Sequence, residues 1–454
     1  MDRQKRIFQE YTVWHSIAAM ALPAMVSMVV MILYNMTDMF FVGLQGDSAQ
    51  IAAVSVVGPV FSLIMAAGSM LGSGGCAIIA RTLGAQDDGK VKQYSSVCCW
   101  GSLAIGLVFT GVILLFQQPL LGFLGANEDM WKYAQTYLNI LSFGAPVMIF
   151  VTTYSNLLRS EGAVREGMVA NLLSTVGNML LDPLFILTFG MGAGGAAVAT
   201  VLGNCIGGVY LIWYVLRQKS NLSFSFRLAA MRPAAMGEII FIGLPNAVST
   251  SLSSFAGALA NRLLVQYGTN AVAAMAAAGK ATMVIGMIQM GLCMGVQPLM
   301  AYHYGAKNLP RLRETLLKLA LLTILMGGVL TAICMVNSGG IVGLFLQETE
   351  AMELGKRMVR LLVISGPFMG LFYIGSNFLQ ASGNAPLATF TSLLRQGLFL
   401  APLLYIMNHF FGVTGNIWAH VVADISSAIV SVALILWQYR RLSHTLSENK
   451  SNVL

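Results

Sequence analysis

"APVMIFVTTYSNLLRSEG" (residues 145–162) and "GPFMGLFYIGSNFLQASG" (366–383) are two copies of one stretch. Pro146, Met148, Ser155, Asn156, Leu158 and Gly162 return as Pro367, Met369, Ser376, Asn377, Leu379 and Gly383, each 221 residues further on. The same offset relates "RTLGAQDDGKVKQ" (81–93) to "YHYGAKNLPRLRE" (302–314): Gly84-Ala85 faces Gly305-Ala306, and Lys90 and Lys92 face Arg311 and Arg313. Leu22-Pro23 and Leu244-Pro245 open the two copies. Matches in one order at nearly one spacing indicate an internal duplication.

What is duplicated is set by composition. Of the 454 residues, 57% are hydrophobic and 10% charged, and mean hydropathy is +0.74. A soluble domain carries roughly 25% charged residues. Apolar runs of spanning length recur at 15–43, 51–80, 94–118, 133–158, 168–190, 195–216, 236–267, 271–301, 315–337, 355–379, 386–409 and 413–437. A helix crosses a bilayer in about 20 residues, and in lipid every backbone group must be satisfied within the segment. The runs do not alternate as the strands of a membrane barrel do. The fold expected is an all-α polytopic membrane protein of twelve transmembrane helices. Six helices per copy make two bundles entering the membrane in the same direction, related by a pseudo-two-fold axis along the membrane normal. The domain reading is an N-terminal bundle over 1–217, a linker over 218–234, a C-terminal bundle over 235–440 and a tail over 441–454.

The formal charge of +8 is no sign of nucleic acid, because its placement is that of a membrane protein. Lys and Arg gather at 3–6, 81–92, 159–165, 217–232, 307–313 and 440–450, while the loops at 44–50, 191–194 and 410–414 hold none. By the positive-inside rule both termini are cytoplasmic, which an even number of spans requires. Lys356 and Arg357 are exceptions near an outer end. Cys76, Cys98, Cys99, Cys205, Cys293 and Cys334 all fall within spans, without metal-ligand spacing or a disulfide framework, and read as small packing residues.

Polar side chains inside spans carry the functional signal. Asp38, Asp182 and Thr200 each fall about 8–10 Å below the outer boundary at ~1.5 Å per residue. Asn178 lies one turn deeper than Asp182 on the same helix face. An intramembrane carboxylate is a functional-site candidate by default. Two acids brought close would raise one pKa or hold a cation between them. Carboxylate, amide and hydroxyl oxygens suit a proton or a hard cation such as Na⁺. For Asn178 and Thr200 taken alone, the competing reading is a polar group satisfying its neighbours. The second copy lacks the acid pair: Asn261 stands near the place of Asp38, and Pro402-Leu403 near that of Asp182. It carries Arg262, Lys280, Arg395 and Asp424 instead, which read either as an internal ion pair on Asp424 or as a cation left over for substrate. Pro23, inside the first span, is a hinge candidate.

Two motif echoes fail on context. "GMGAGG" (190–195) has the glycines of a dinucleotide turn but no βαβ surroundings, and "AAAGKAT" (276–282) lacks the first glycine of a phosphate loop. No nucleophile set or His/Cys cluster argues for an enzyme, and no cofactor is expected beyond a coupling ion, H⁺ or Na⁺.

Leu22-Pro23, "TDMFFVG", "GSGGCAIIARTLGAQ", "LRSEG", "GNMLLDPLFI" and "YHYGAKN" together resemble the multidrug and toxic compound extrusion (MATE) family over about residues 14–440. The resemblance implies twelve helices in two bundles around a central cleft. It implies export of drugs or lipophilic, often cationic metabolites in exchange for H⁺ or Na⁺, by a monomer in the inner membrane of a bacterial or archaeal cell, with lipids as its surroundings. Asp38, Asn178, Asp182 and Thr200 match the cation site that some members carry in the N-terminal lobe. The acids that another branch places on helices 7 and 10 are missing here, so the resemblance is to the damage-inducible-protein branch. Tyr34, Asn35 and Asn156 become candidates for the adjoining substrate surface. An alternative on a related scaffold is a flippase for lipid-linked precursors, which would have a more basic cavity and usually extra helices. A membrane scaffold or receptor without transport would leave the acid pair and the duplication unexplained.

Overall fold

The computed structural model describes residues 2–43, 48–217, 220–230, 234–346 and 349–451, without side chains for 2–5, 32–43, 48, 51, 269 and 444–451. Among the described residues there is helix and no strand. The membrane helices are α1 (Val13–Gly43), α2 (Ser48–Gly84), α3 (Asp88–Leu115), α4 (Glu128–Ser160), α5 (Val164–Asp182), α6 (Gly192–Arg217), α7 (Ala234–Leu264), α8 (Thr269–Gly305) and α9 (Leu309–Val336). Helix α10 runs through Thr349–Leu362, a 3-10 turn at Val363–Ser365, and Gly366–Ala381.

Eleven stretches among the described residues are long and apolar enough to cross a membrane, and the last, Ala385–Ser443, is 59 residues long. It is two spans. Gly412 leaves helical geometry at φ 58 and ψ −137, a conformation that penalises any side chain with a Cβ. Arg395 and Asp424 would stand ~43 Å apart along a straight helix, yet Arg395 Nε lies 2.8 Å from Asp424 Oδ1. The chain therefore doubles back at Gly412, giving α11 (385–411) and α12 (413–451) and the twelve spans read from the sequence.

The duplication is visible in small geometric details, all at the offset of 221. Gln86 and Lys307 both take positive φ, 60 and 55. Asp87 accepts the Lys90 amide at 3.1 Å, and Asn308 accepts that of Arg311 at 3.2 Å, each capping the helix that follows. Thr110 donates to the Ser142 carbonyl at 2.6 Å and Thr331 to that of Val363 at 2.8 Å. At Gly106 a Cβ would sit 2.3 Å from the Cα of Pro146, and at Gly327 it would sit 2.8 Å from that of Pro367. In both copies, then, a glycine lets the third helix lie directly against the proline of the fourth.

Packing divides the chain into two compact units, residues 1–10 with 26–243, and residues 11–25 with 244–454. The divisions fall inside helices, two residues after Pro23 in α1 and directly before Pro245 in α7. A proline inside a helix leaves the carbonyl four residues back without its N–H partner, so both helices are bendable where they change units. In the first unit α4 is the central helix, against α2, α3 and α6. In the second, α10 is central, against α8, α9 and the last helix pair.

Candidate cation site

Helix α5 ends on Asp182, and Pro183 decides how. Proline offers no N–H to the carbonyl of Met179, so the regular ladder stops. The chain continues as one wide π turn, Pro183–Thr188, closed by the Phe189 amide donating to the Leu184 carbonyl at 3.0 Å. Such turns frequently accompany functional positions in helices.

Helix α6 comes close because its contact face is glycine. A Cβ at Gly203 would be 2.5 Å from the Ser174 carbonyl oxygen, and one at Gly207 would be 2.0 Å from Ser174 Oγ. This approach sets Thr200 beside Asn178. The Asn178 amide nitrogen donates to Asp182 Oδ1 at 3.3 Å and to Thr200 Oγ1 at 3.2 Å. Both of its hydrogens are thereby used, and the amide's direction is fixed. Asp182 is 0% exposed, Asn178 2% and Thr200 4%. The Asn178 Oδ1 atom is buried and accepts no hydrogen bond from the described residues. A buried acceptor without a donor costs about 1–3 kcal/mol. A cation, or a proton carried by a carboxyl, would satisfy it.

Replacing Gly203 by Val should force α5 and α6 apart at this point. The expected result is a loss of about 1–3 kcal/mol in unfolding free energy, the usual cost of overpacking. It is measured by thermal or denaturant unfolding of the purified protein in detergent. Gly257, where a Cβ meets nothing within 4 Å, is the control position.

The remaining candidates sort as follows. Asp38, Tyr34 and Asn35 lie on the described backbone of α1, but their side chains lie outside the described residues. Asn156 is 7% exposed, and its amide is engaged inside the first unit: the nitrogen donates to the Thr152 carbonyl at 2.7 Å, and the oxygen accepts from Arg159. Asn377 repeats the backbone bond in the second copy, donating to Tyr373 O at 2.8 Å. Arg395 and Asp424 form the ion pair given above, and the guanidinium lies 4.7 Å from the ring centre of Phe372 and 5.6 Å from that of Tyr373. Arg262 and Lys280 are exposed and take no part in it. Two things went unread in the sequence: the π turn, and an amide chain in which Gln297 donates to Gln380 at 3.0 Å and Gln380 to Asn246 at 3.2 Å. The dipeptide Asp182-Pro183 was the available signal for the turn, whereas the amide chain joins residues up to 134 positions apart.

Comparison with known proteins agrees over nearly the full length. The sequence model of the MatE family matches residues 23–184 and 245–406, once in each copy. The multidrug export protein MepA of Staphylococcus aureus (strain MSSA476) is 30% identical over 451 residues, covering 98% of this chain and 99% of the relative. A solved structure described as the outward-facing conformation of a multidrug resistance MATE family transporter of the MOP superfamily superposes with a TM-score of 0.88 at 25% identity, over 94% of this chain and 95% of the other. A crystal structure of MATE in the bent conformation gives 0.91 at 24% identity, over 98% and 99%.

Proposed function

The chain belongs to the MatE family of multidrug efflux transporters, and from that premise we propose that it exports lipophilic organic compounds in exchange for H⁺ or Na⁺ bound at Asp182, Asn178 and Thr200, with Asp38 as a further ligand. Family members are export proteins and not enzymes, and the chain is a multi-pass membrane protein. The observation that carries the coupling proposal is the buried Asn178 Oδ1, an acceptor without a donor among the described residues, beside a fully buried carboxylate and a hydroxyl.

In this reading a proton neutralises Asp182, or Na⁺ is held by the Asp182 carboxylate, Asn178 Oδ1 and Thr200 Oγ1. A cation drives a conformational cycle only if it binds one state more tightly than the other. The π turn after Asp182 and the proline in α1 supply backbone that changes shape at low cost. Pro23 is the proposed hinge, and Tyr34 and Asn35 the nearby substrate surface. The distribution of basic loops supports cytoplasmic termini and a place in the inner membrane of a bacterial or archaeal cell. No second subunit is invoked.

The test uses purified protein in liposomes loaded with a fluorescent lipophilic dye. A pH gradient and a Na⁺ gradient are imposed separately. Dye transport driven by one of them supports the proposal. Transport at equal rate with no gradient of either ion would overturn it.

A further inference from the structure

The second unit buries a charge pair that the first copy does without. Arg395 and Asp424 join α11 to α12. At the offset of 221 they stand where the first copy has Ser174 and Gly203. There α5 and α6 meet with no charge, close enough that a Cβ at Gly203 would be 2.5 Å from the Ser174 carbonyl oxygen. A buried ion pair is weak evidence for stability, since apolar packing often serves as well. A charge within a membrane span is costly and marks a functional site by default. The neighbours diverge with the pair: Phe372, Tyr373, Asn416 and His420 stand in place of Val151, Thr152, Gly195 and Ala199. Conversely, Asn178, Asp182 and Thr200 correspond to Phe399, Leu403 and Val421. Each copy therefore carries a polar cluster that the other lacks.

The bridge in the second unit is single. Arg395 Nε donates to Asp424 Oδ1 at 2.8 Å, and no second bond runs between the two groups. Arginine and carboxylate frequently pair through two parallel bonds instead. The guanidinium presents five N–H groups, and one is used here. Its carbon lies 4.7 Å from the ring centre of Phe372 and 5.6 Å from that of Tyr373, whose hydroxyl is also against it. Asp424 Oδ2 has no hydrogen-bond partner among the described residues. One and two turns earlier on the same face of α12, His420 Nε2 and Asn416 Oδ1 are buried and likewise unpartnered among the described residues. Asn416 is 0% exposed. Arg395 lies on a second π turn, Leu394–Leu400, and such turns frequently accompany functional positions.

We propose that the Arg395–Asp424 pair is a substrate subsite for zwitterionic aromatic compounds, with the η nitrogens of Arg395 taking the compound's carboxylate and Asp424 Oδ2 its cationic group. The proposal rests on the reading that the chain exports lipophilic organic compounds. The choice of a zwitterion follows from charge. The pair is neutral as a whole, so a compound bearing one charge would leave one member of the pair opposed in a desolvated place. A compound bearing both charges keeps every charge paired. The Phe372 and Tyr373 rings give its aromatic body an apolar wall. His420 Nε2 and Asn416 Oδ1 extend the polar side of the subsite along α12. Specificity for a carboxylate would then reside in the second unit, apart from the cation site of the first.

The test compares rhodamine B with rhodamine B ethyl ester, which share the cationic ring system and differ in whether the carboxylate is free. Binding to the full-length purified protein is read by fluorescence anisotropy, with binding to empty micelles subtracted. The wild type should bind the free acid at least about tenfold more tightly than the ester, the usual worth of a hydrogen-bonded charge. The double variant Arg395→Met/Asp424→Leu, shown to be folded by its melting temperature, should bind the two dyes equally. Asp424→Asn removes the competing carboxylate from Arg395, so its preference for the acid should exceed that of the wild type. Equal binding of the two dyes by the wild type would overturn the subsite. So would a wild-type preference retained in the double variant or, should that variant fail to fold, an unchanged preference in Asp424→Asn. The titration imposes no ion gradient, so none of these outcomes bears on coupling at Asp182. Binding of neither dye would count against export of lipophilic compounds, and against the subsite with it.

Discussion

Asp182→Asn is expected to abolish gradient-driven export while the protein remains folded in the membrane. The two side chains are nearly equal in volume. The amide oxygen at 182 can still accept the Asn178 bond that now runs to Asp182 Oδ1 at 3.3 Å. What disappears is the negative charge, and with it the difference in cation affinity between conformational states. A ligand with equal affinity for two states shifts neither. Coupling between linked sites usually corresponds to about 5–150-fold in affinity, and its loss should leave only the transport seen without an ion gradient. Dye binding and melting temperature should stay near wild type. Wild-type export in the Asn variant would remove Asp182 from the mechanism.

The largest stability effect is expected at the ion pair in the second unit. Arg395→Met or Asp424→Leu alone leaves one charge without its partner where both side chains are only 10% exposed. Breaking such a pair costs about 3–5 kcal/mol, whereas replacing both members by apolar groups is often neutral. In Arg395→Met the guanidinium contacts with Phe372 and Tyr373 are lost as well. The double variant Arg395→Met/Asp424→Leu should recover most of the loss of either single variant. Denaturant unfolding of the three purified variants reads this directly. Single variants as stable as the wild type would contradict a paired, desolvated bridge across the α11–α12 hairpin.

Much of this was legible because membrane helices obey local rules. The 221-residue offset predicted geometric twins, and Gln86 with Lys307, or Thr110 with Thr331, take the same conformation and make the same bond. Asn178 and Asp182 are one turn apart, so their contact follows from helix geometry. Thr200 is further along the chain, and depth counting sufficed because α5 and α6 are antiparallel neighbours. The sequence alone left Arg262, Lys280 and Arg395 all open as partners for Asp424. Only the turn at Gly412 and the winding of each helix choose Arg395. The contact of Glu161 with the segment after α6 was not legible at all: its carboxylate accepts from the Ser220 hydroxyl and the Asn221 backbone amide, 59 and 60 positions away, groups that any loop possesses. Nor did hydropathy indicate that α1 and α7 would pass between packing units near Pro23 and Pro245, because both prolines lie within uninterrupted apolar runs.

The most direct test of coupling at the Asn178–Asp182–Thr200 site is the ion movement itself. Liposomes containing the purified protein, loaded with a pH-sensitive dye or with a Na⁺ indicator, receive a transported lipophilic compound with no ion gradient imposed. The wild type should move one of the two ions in the direction opposite to the compound, and Asp182→Asn should move neither. Transport of the compound by the wild type without movement of H⁺ or Na⁺, or an undiminished ion flux in Asp182→Asn, would contradict the assignment.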